Sequence, residues 1–171
     1  MSKPLDKTGL YPPFAEAVSK MEVQANKIGA FLFDGFRSFE EQLVLYAKGR
    51  EFISPSGQWI VTNPRLIVTK ASPGFSAHNY GVGSDWAFDA DRVKPGVQWS
   101  WDEHYPWDNL GAIMESFGFE WGWRWIKFPE KAHAQMLFGF NIIKDLYPIL
   151  TDPSKGLKVV WKMFDKKLGI S

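Results

Sequence analysis

Apolar residues recur at three- and four-residue intervals through residues 13–31, where Phe14, Val18, Met21 and Ala25 share one face. That spacing predicts an amphipathic helix opening after Pro12-Pro13. The run Phe31-Leu32-Phe33 reads as a short strand, and Gly35-Phe36-Arg37-Ser38 turns the chain. Ser38, with Glu41 three residues on, forms a capping box for a helix over 39–47 that Gly49 ends. Residues 50–64 are rich in Gly, Pro, Ser and Asn and read as an irregular loop, followed by Leu66-Ile67-Val68-Thr69 as a strand. A second glycine-interrupted stretch, 72–83, leads into Asp85-Trp86-Ala87-Phe88-Asp89 at strand-like spacing. Asp108 reads as the cap of a helix ending at Phe117 before Gly118, and residues 119–125 read as a further strand. Helical patterns over 137–150 and 154–168 flank Asp152-Pro153. Helices mixed with short strands, without strict alternation, predict an α+β domain with a small antiparallel sheet flanked by helices.

Composition narrows the function classes. The chain has 171 residues, a formal net charge of +1, 45% hydrophobic and 23% charged residues. These values describe one globular domain and argue against disorder and against a nucleic-acid partner. Aromatics reach 16%, and they concentrate at Trp86, Trp99, Trp101, Trp107, Trp121, Trp123 and Trp125. Most of these rings are expected in the core and the remainder around a cleft. The absence of cysteine removes disulfides, thiolate metal sites and cysteine nucleophiles, so any metal must sit on His, Asp or Glu. The opening MSKPLDKTGLYPPF lacks the profile of a secretory signal, and no stretch is apolar enough to span a bilayer. The expectation is a soluble chain made in the cytoplasm. Residues 151–171 place Leu157, Val160, Trp161, Phe164 and Leu168 opposite Lys155, Lys158, Lys162, Lys166 and Lys167. This basic amphipathic helix is expected to dock on a main domain over 1–150, with contact to an anionic membrane as the alternative.

Three histidines, His78, His104 and His133, supply the imidazole chemistry. His78 and Asp85 lie seven residues apart across Gly81 and Gly83, and glycines let the backbone turn tightly enough for the two side chains to converge. Imidazole and carboxylate are both zinc ligands, and a catalytic zinc site takes three protein ligands with one position left open. His133 is a candidate third ligand, and Glu130, three residues before it, a candidate general base beside the metal. His and Asp near glycines also cap turns, so spacing alone leaves both readings open. His104, in the polar run Asp102-Glu103-His104-Tyr105, reads as exposed. Asp89 and Asp91 lack the spaced oxygen set of a calcium loop. No Gly-x-Ser-x-Gly elbow and no His-Glu-x-x-His pair occurs.

Three blocks occur in order between about residues 30 and 136. They are Gly35-Phe36-Arg37-Ser38-x-x-Glu41-Gln42-x-x-Leu45-Tyr46-x-x-Gly49-Arg50, Ser76-x-His78-x-x-Gly81-x-Gly83-x-Asp85, and Glu120-Trp121-Gly122-x-x-Trp125-x-x-Phe128-x-Glu130-x-x-His133-x-Gln135. Together they resemble the zinc peptidases of the D-alanyl-D-alanine carboxypeptidase and phage L-alanyl-D-glutamate endopeptidase family. The resemblance implies a hedgehog/DD-peptidase-like fold with His78, Asp85 and His133 as zinc ligands and Glu130 as catalytic acid/base. It also implies that Arg37 steadies the substrate carbonyl or its developing oxyanion, and that Ser76 and Gln42 line the site. Ala132-His133-Ala134 departs from the family's Pro-His-Phe. Glu130 stands where many phage endopeptidases carry Asp and where carboxypeptidases and dipeptidases carry Glu. The first block is more similar to the phage branch. The implied activity is a monomeric endolysin cutting the L-Ala-D-Glu bond of the peptidoglycan stem peptide, released from the host cytoplasm to the cell wall at lysis. A D-Ala-D-Ala carboxypeptidase or dipeptidase is the alternative. A non-catalytic zinc-binding module is a third, against which Glu130 and Arg37 both argue.

Overall fold

The computed structural model describes residues 7–170. Residues 1–6, which belong to the opening segment read for targeting signals, lie outside the described residues. The double proline starts α1 (Pro12–Lys27), whose Phe14, Val18, Met21 and Ala25 are buried at the expected spacing. β1 (Ala30–Asp34) follows. The capping box then opens α2 (Phe39–Tyr46): the Glu41 N–H donates to Ser38 Oγ at 3.1 Å, and the Ser38 N–H donates to Glu41 Oε2 at 2.9 Å.

The stretch read as a loop over 50–64 contains a hairpin of β2 (Arg50–Ile53) and β3 (Gln58–Val61). Leu66-Ile67-Val68-Thr69 is not a strand. Pro64–Leu66 is one 3₁₀ turn, and residues 67–69 join no sheet. A second 3₁₀ turn, Ala77–Tyr80, leads into β4 (Gly83–Asp89) and then β5 (Trp99–Ser100). Helix α3 (Trp107–Ser116) has Pro106 as its N-cap, so Asp108 sits in the first turn and not at the cap. The strand expected over 119–125 is only β6 (Glu120–Trp121), ended by the 3₁₀ turn Gly122–Arg124. Next comes β7 (His133–Gln135), which the sequence reading did not contain. A π-helical turn Ile142–Leu146 then runs into α4 (Tyr147–Leu150), and α5 (Leu157–Leu168) ends the described chain.

One compact unit comprises Met1–Phe36 and Tyr80–Leu137. Its antiparallel sheet runs β1-β4-β7-β6, with β5 also paired to β4. β4 is thus flanked on both edges, and Trp86, Ala87 and Phe88 are buried. Phe14, Met21, Leu110, Met114 and Trp121 complete the core, each contributing about 1.5–3 kcal/mol by leaving water. Gly111 admits Trp121, because a methyl group on Gly111 would stand 2.2 Å from the indole ring. Register slips along β1, where Leu32 opposes Trp86 but Asp34 opposes Asp85. The extra residue, Phe33, is a β-bulge. Its ring is exposed and meets Trp99 and Trp101 edge-on at 5.2 and 4.8 Å.

The other unit comprises Arg37–Asn79 and Phe138–Ser171. Phe75 stacks on Tyr147 with centroids 4.4 Å apart. The apolar face of α5 is covered at Val160 and Phe164, with the Phe164 ring against Phe138 at 5.1 Å and Phe140 at 5.7 Å. Lys158, Lys162, Lys166 and Lys167 are exposed. Among the described residues no helix is long and apolar enough to cross a membrane.

Candidate metal centre

Asp85 and His133 are 48 positions apart in sequence and opposite one another in space. The β4–β7 register pairs them directly, and His133 Nδ1 lies 2.9 Å from Asp85 Oδ1. His78 stands on the 3₁₀ turn Ala77–Tyr80 and is 1% exposed. That turn is pinned from two sides: the His78 N–H donates to Ser76 Oγ at 3.4 Å, and the His78 carbonyl accepts the Arg37 N–H at 3.2 Å. One ligand atom from each of His78, Asp85 and His133 lies within 4.8 Å of the others. Two imidazole nitrogens and one carboxylate oxygen are a zinc-type donor set with room for a fourth ligand. A calcium site would take six to eight oxygens. The residues present therefore fit zinc.

Burial pulls the His133 pKa down, and the Asp85 carboxylate beside it overrides that effect, with Glu130 and Gln135 adding to it. The net result holds the imidazole above its ordinary value. Trp125 tilts over the same ring with centroids 5.2 Å apart. Glu130 is half-buried at the end of a loop that returns to the sheet. Its N–H donates to the Gly122 carbonyl at 3.1 Å, its own carbonyl accepts the His133 N–H at 3.3 Å, and the Trp121 indole N–H holds the next carbonyl, of Lys131, at 2.8 Å.

Arg37 and Gln42 come together as a buried pair. Arg37 Nη1 donates to Gln42 Oε1 at 3.4 Å, and Gln42 Nε2 donates to the Ala71 carbonyl at 2.8 Å. Ser76 is buried and tied to His78 as described. His104 is exposed, in line with its polar surroundings. The Asp89 carboxylate accepts the N–H groups of Asp91 and Gln98 at 3.2 and 2.8 Å, so it holds a turn. Of the seven tryptophans clustered between residues 86 and 125, Trp86, Trp107 and Trp121 are buried, fewer than expected, and Trp101 and Trp123 are exposed. Two side chains absent from the proposed site contact its surroundings. Gln135 Oε1 lies 3.1 Å from His133 Nε2, and Gln135 Nε2 donates to Glu120 Oε2 at 3.1 Å. The signal for Gln135 was available in its position two residues after His133, which puts both on one face of a strand.

Residues 7–135 match the family model "VanY: D-alanyl-D-alanine carboxypeptidase". The chain belongs to this family of peptidases. Among curated proteins, the peptidoglycan L-alanyl-D-glutamate endopeptidase CwlK of Bacillus subtilis (strain 168) is 36% identical over 122 residues, 66% of this chain and 64% of CwlK. The matched region thus spans less than two thirds of that relative's length. Among solved structures, the LdcB LD-carboxypeptidase superposes with a TM-score of 0.46 at 19% identity, over 87% of this chain and 66% of its own.

Proposed function

We propose that this chain is a zinc-dependent peptidoglycan peptidase that cuts the L-Ala-D-Glu bond of the stem peptide. The observation that carries the reading is the convergence of His78, Asp85 and His133 in a chain similar to an L-alanyl-D-glutamate endopeptidase. Bound by these three residues, zinc would supply Lewis-acid chemistry, lowering the pKa of water and polarising a peptide carbonyl. Glu130 is the proton carrier: its carboxylate takes the proton of the attacking water and returns it to the leaving amine. Arg37 is the donor for negative charge growing on the carbonyl oxygen, and Gln42 fixes its guanidinium. Ser76 sets the His78 turn.

The finer assignment, to a phage-type endolysin that meets the cell wall after release from the cytoplasm, is supported by the block Gly35 to Arg50. A D-Ala-D-Ala carboxypeptidase is the second reading, favoured by Glu130 at the acid/base position.

Digestion of purified peptidoglycan, with mass spectrometry of the new termini, decides between them. New D-Glu amino termini are expected. Release of free D-Ala alone would overturn the endopeptidase reading in favour of the second. For the lysis role, cells expressing the chain in the cytoplasm should stay intact until the inner membrane is permeabilised. Equal lysis without permeabilisation would contradict it.

A further inference from the structure

Each ring nitrogen of His133 meets a different group: Nδ1 lies 2.9 Å from Asp85 Oδ1, and Nε2 lies 3.1 Å from Gln135 Oε1. An imidazole that ligates a metal through one nitrogen keeps its proton on the other, and the partner of that proton sets the orientation of the ring. A glutamine amide can turn either its oxygen or its NH₂ toward the ring. Here Glu120 makes the choice, because its Oε2 accepts from Gln135 Nε2 at 3.1 Å. Turning the amide over would set its carbonyl oxygen against the Glu120 carboxylate and leave two acceptors facing each other. Glu120 is itself held, since the Trp125 indole N–H donates to its Oε1.

Strand pairing places these groups together. Gln135 stands two residues from His133 on the three-residue strand β7, and Glu120 is its cross-strand partner on β6. Trp125 follows Glu120 by one short turn. We infer that Gln135, oriented by Glu120, is a positioning residue that keeps the His133 proton on Nε2 and commits Nδ1, the nitrogen beside Asp85, to the metal. This inference rests on the metal-centre reading above.

The test combines zinc affinity, by competition with a chromogenic chelator, and ¹H–¹⁵N spectra of the zinc-loaded protein labelled at histidine. In the wild type, His133 should show a slowly exchanging Nε2–H and a metallated Nδ1. Gln135→Leu should weaken zinc binding by about 10–100-fold and expose the Nε2–H to rapid exchange. Glu120 is exposed, so Glu120→Ala keeps the fold and should weaken zinc binding in the same direction. The double variant Gln135→Glu with Glu120→Gln restores both the acceptor and the cross-strand hydrogen bond, and should recover the affinity.

Zinc held through Nε2 in the wild type, or unchanged affinity in both Gln135→Leu and Glu120→Ala, would overturn the inference even in a working peptidase. Zinc held through Nδ1, in a protein that cuts no peptidoglycan, would overturn the peptidase reading and leave the positioning role of Gln135 standing. A wild-type chain that takes up no zinc overturns both.

Discussion

Gly122 and Glu130 meet backbone to backbone. The Glu130 N–H donates to the Gly122 carbonyl at 3.1 Å, and a methyl group on Gly122 would stand 2.7 Å from the Glu130 carbonyl oxygen and 3.3 Å from the Cβ atoms of Glu130 and His133. The turn that carries the proposed acid/base therefore rests on a missing side chain. Gly122→Ala should push this turn off the sheet, lowering stability by about 1–3 kcal/mol and turnover by about 100-fold. Thermal melts and hydrolysis of purified peptidoglycan check it, and wild-type turnover in the variant would refute the assigned contact.

Glu130 and the three proposed ligands should separate cleanly in their effects. Glu130→Gln should retain one zinc per chain while turnover falls by about 10²–10⁴-fold, the usual worth of a positioned general acid/base. His133→Ala should lose both. Metal analysis of the two purified variants, beside their activities, distinguishes a proton carrier from a ligand.

The raised His133 pKa gives the metal-free protein a definite pH response. Its source is the Asp85 carboxylate, working against burial. A folded-state pKa above the unfolded one means that the pairing stabilises the fold fully below the ordinary histidine pKa and stops doing so as pH rises through the elevated value. In chelator-treated protein, the melting-temperature advantage of wild type over Asp85→Asn should shrink as pH rises above the ordinary histidine pKa of about 6.5. Zinc affinity should run the other way, strengthening with pH, because uptake must displace a proton. A melting difference that grows with pH would show that Asp85 does not act on His133 in this way.

Phe164 tests what α5 contributes. Its ring is buried against Phe138 and Phe140, so Phe164→Ala should cost about 3–5 kcal/mol in denaturant unfolding. A loss below about 1 kcal/mol would mean that the helix is not fastened by this face.

What could be read from sequence divides by the length of the signal. α1, with four apolar residues in register, and α2, with its Ser38–Glu41 box, carry enough periodicity and capping chemistry to stand alone. The three candidate ligands, His78, Asp85 and His133, lie inside the blocks quoted from the sequence, and the structure brings them together. β7 was not, because three residues, His133–Gln135, give no periodicity, and the strand exists only through its pairing with β4 and β6. The β2–β3 hairpin was hidden by its own turn, since Ser54-Pro55-Ser56-Gly57 made the whole stretch look irregular. Leu66 to Thr69 misled in the opposite sense. A branched apolar run has strand propensity, but among the described residues no partner strand pairs with it, so propensity alone did not prevail. The helix start at Trp107 shows the same limit, since Asp108 sits two positions too late for the cap it resembles.

The Asp85–His133 pairing also sets an order of events. Two of the three proposed ligands sit on hydrogen-bonded strands, one of them the central strand of the sheet, so their spacing changes only if β4 and β7 separate. The third, His78, stands on one 3₁₀ turn, tied by the Ser76 and Arg37 contacts and by the Asn79 amide, which donates to the Arg37 carbonyl at 2.9 Å. Local opening in proteins starts where few backbone bonds must break. Opening is therefore expected first at the His78 turn, so loosening it, for example with Ser76→Ala, should speed metal exchange more than it weakens equilibrium binding.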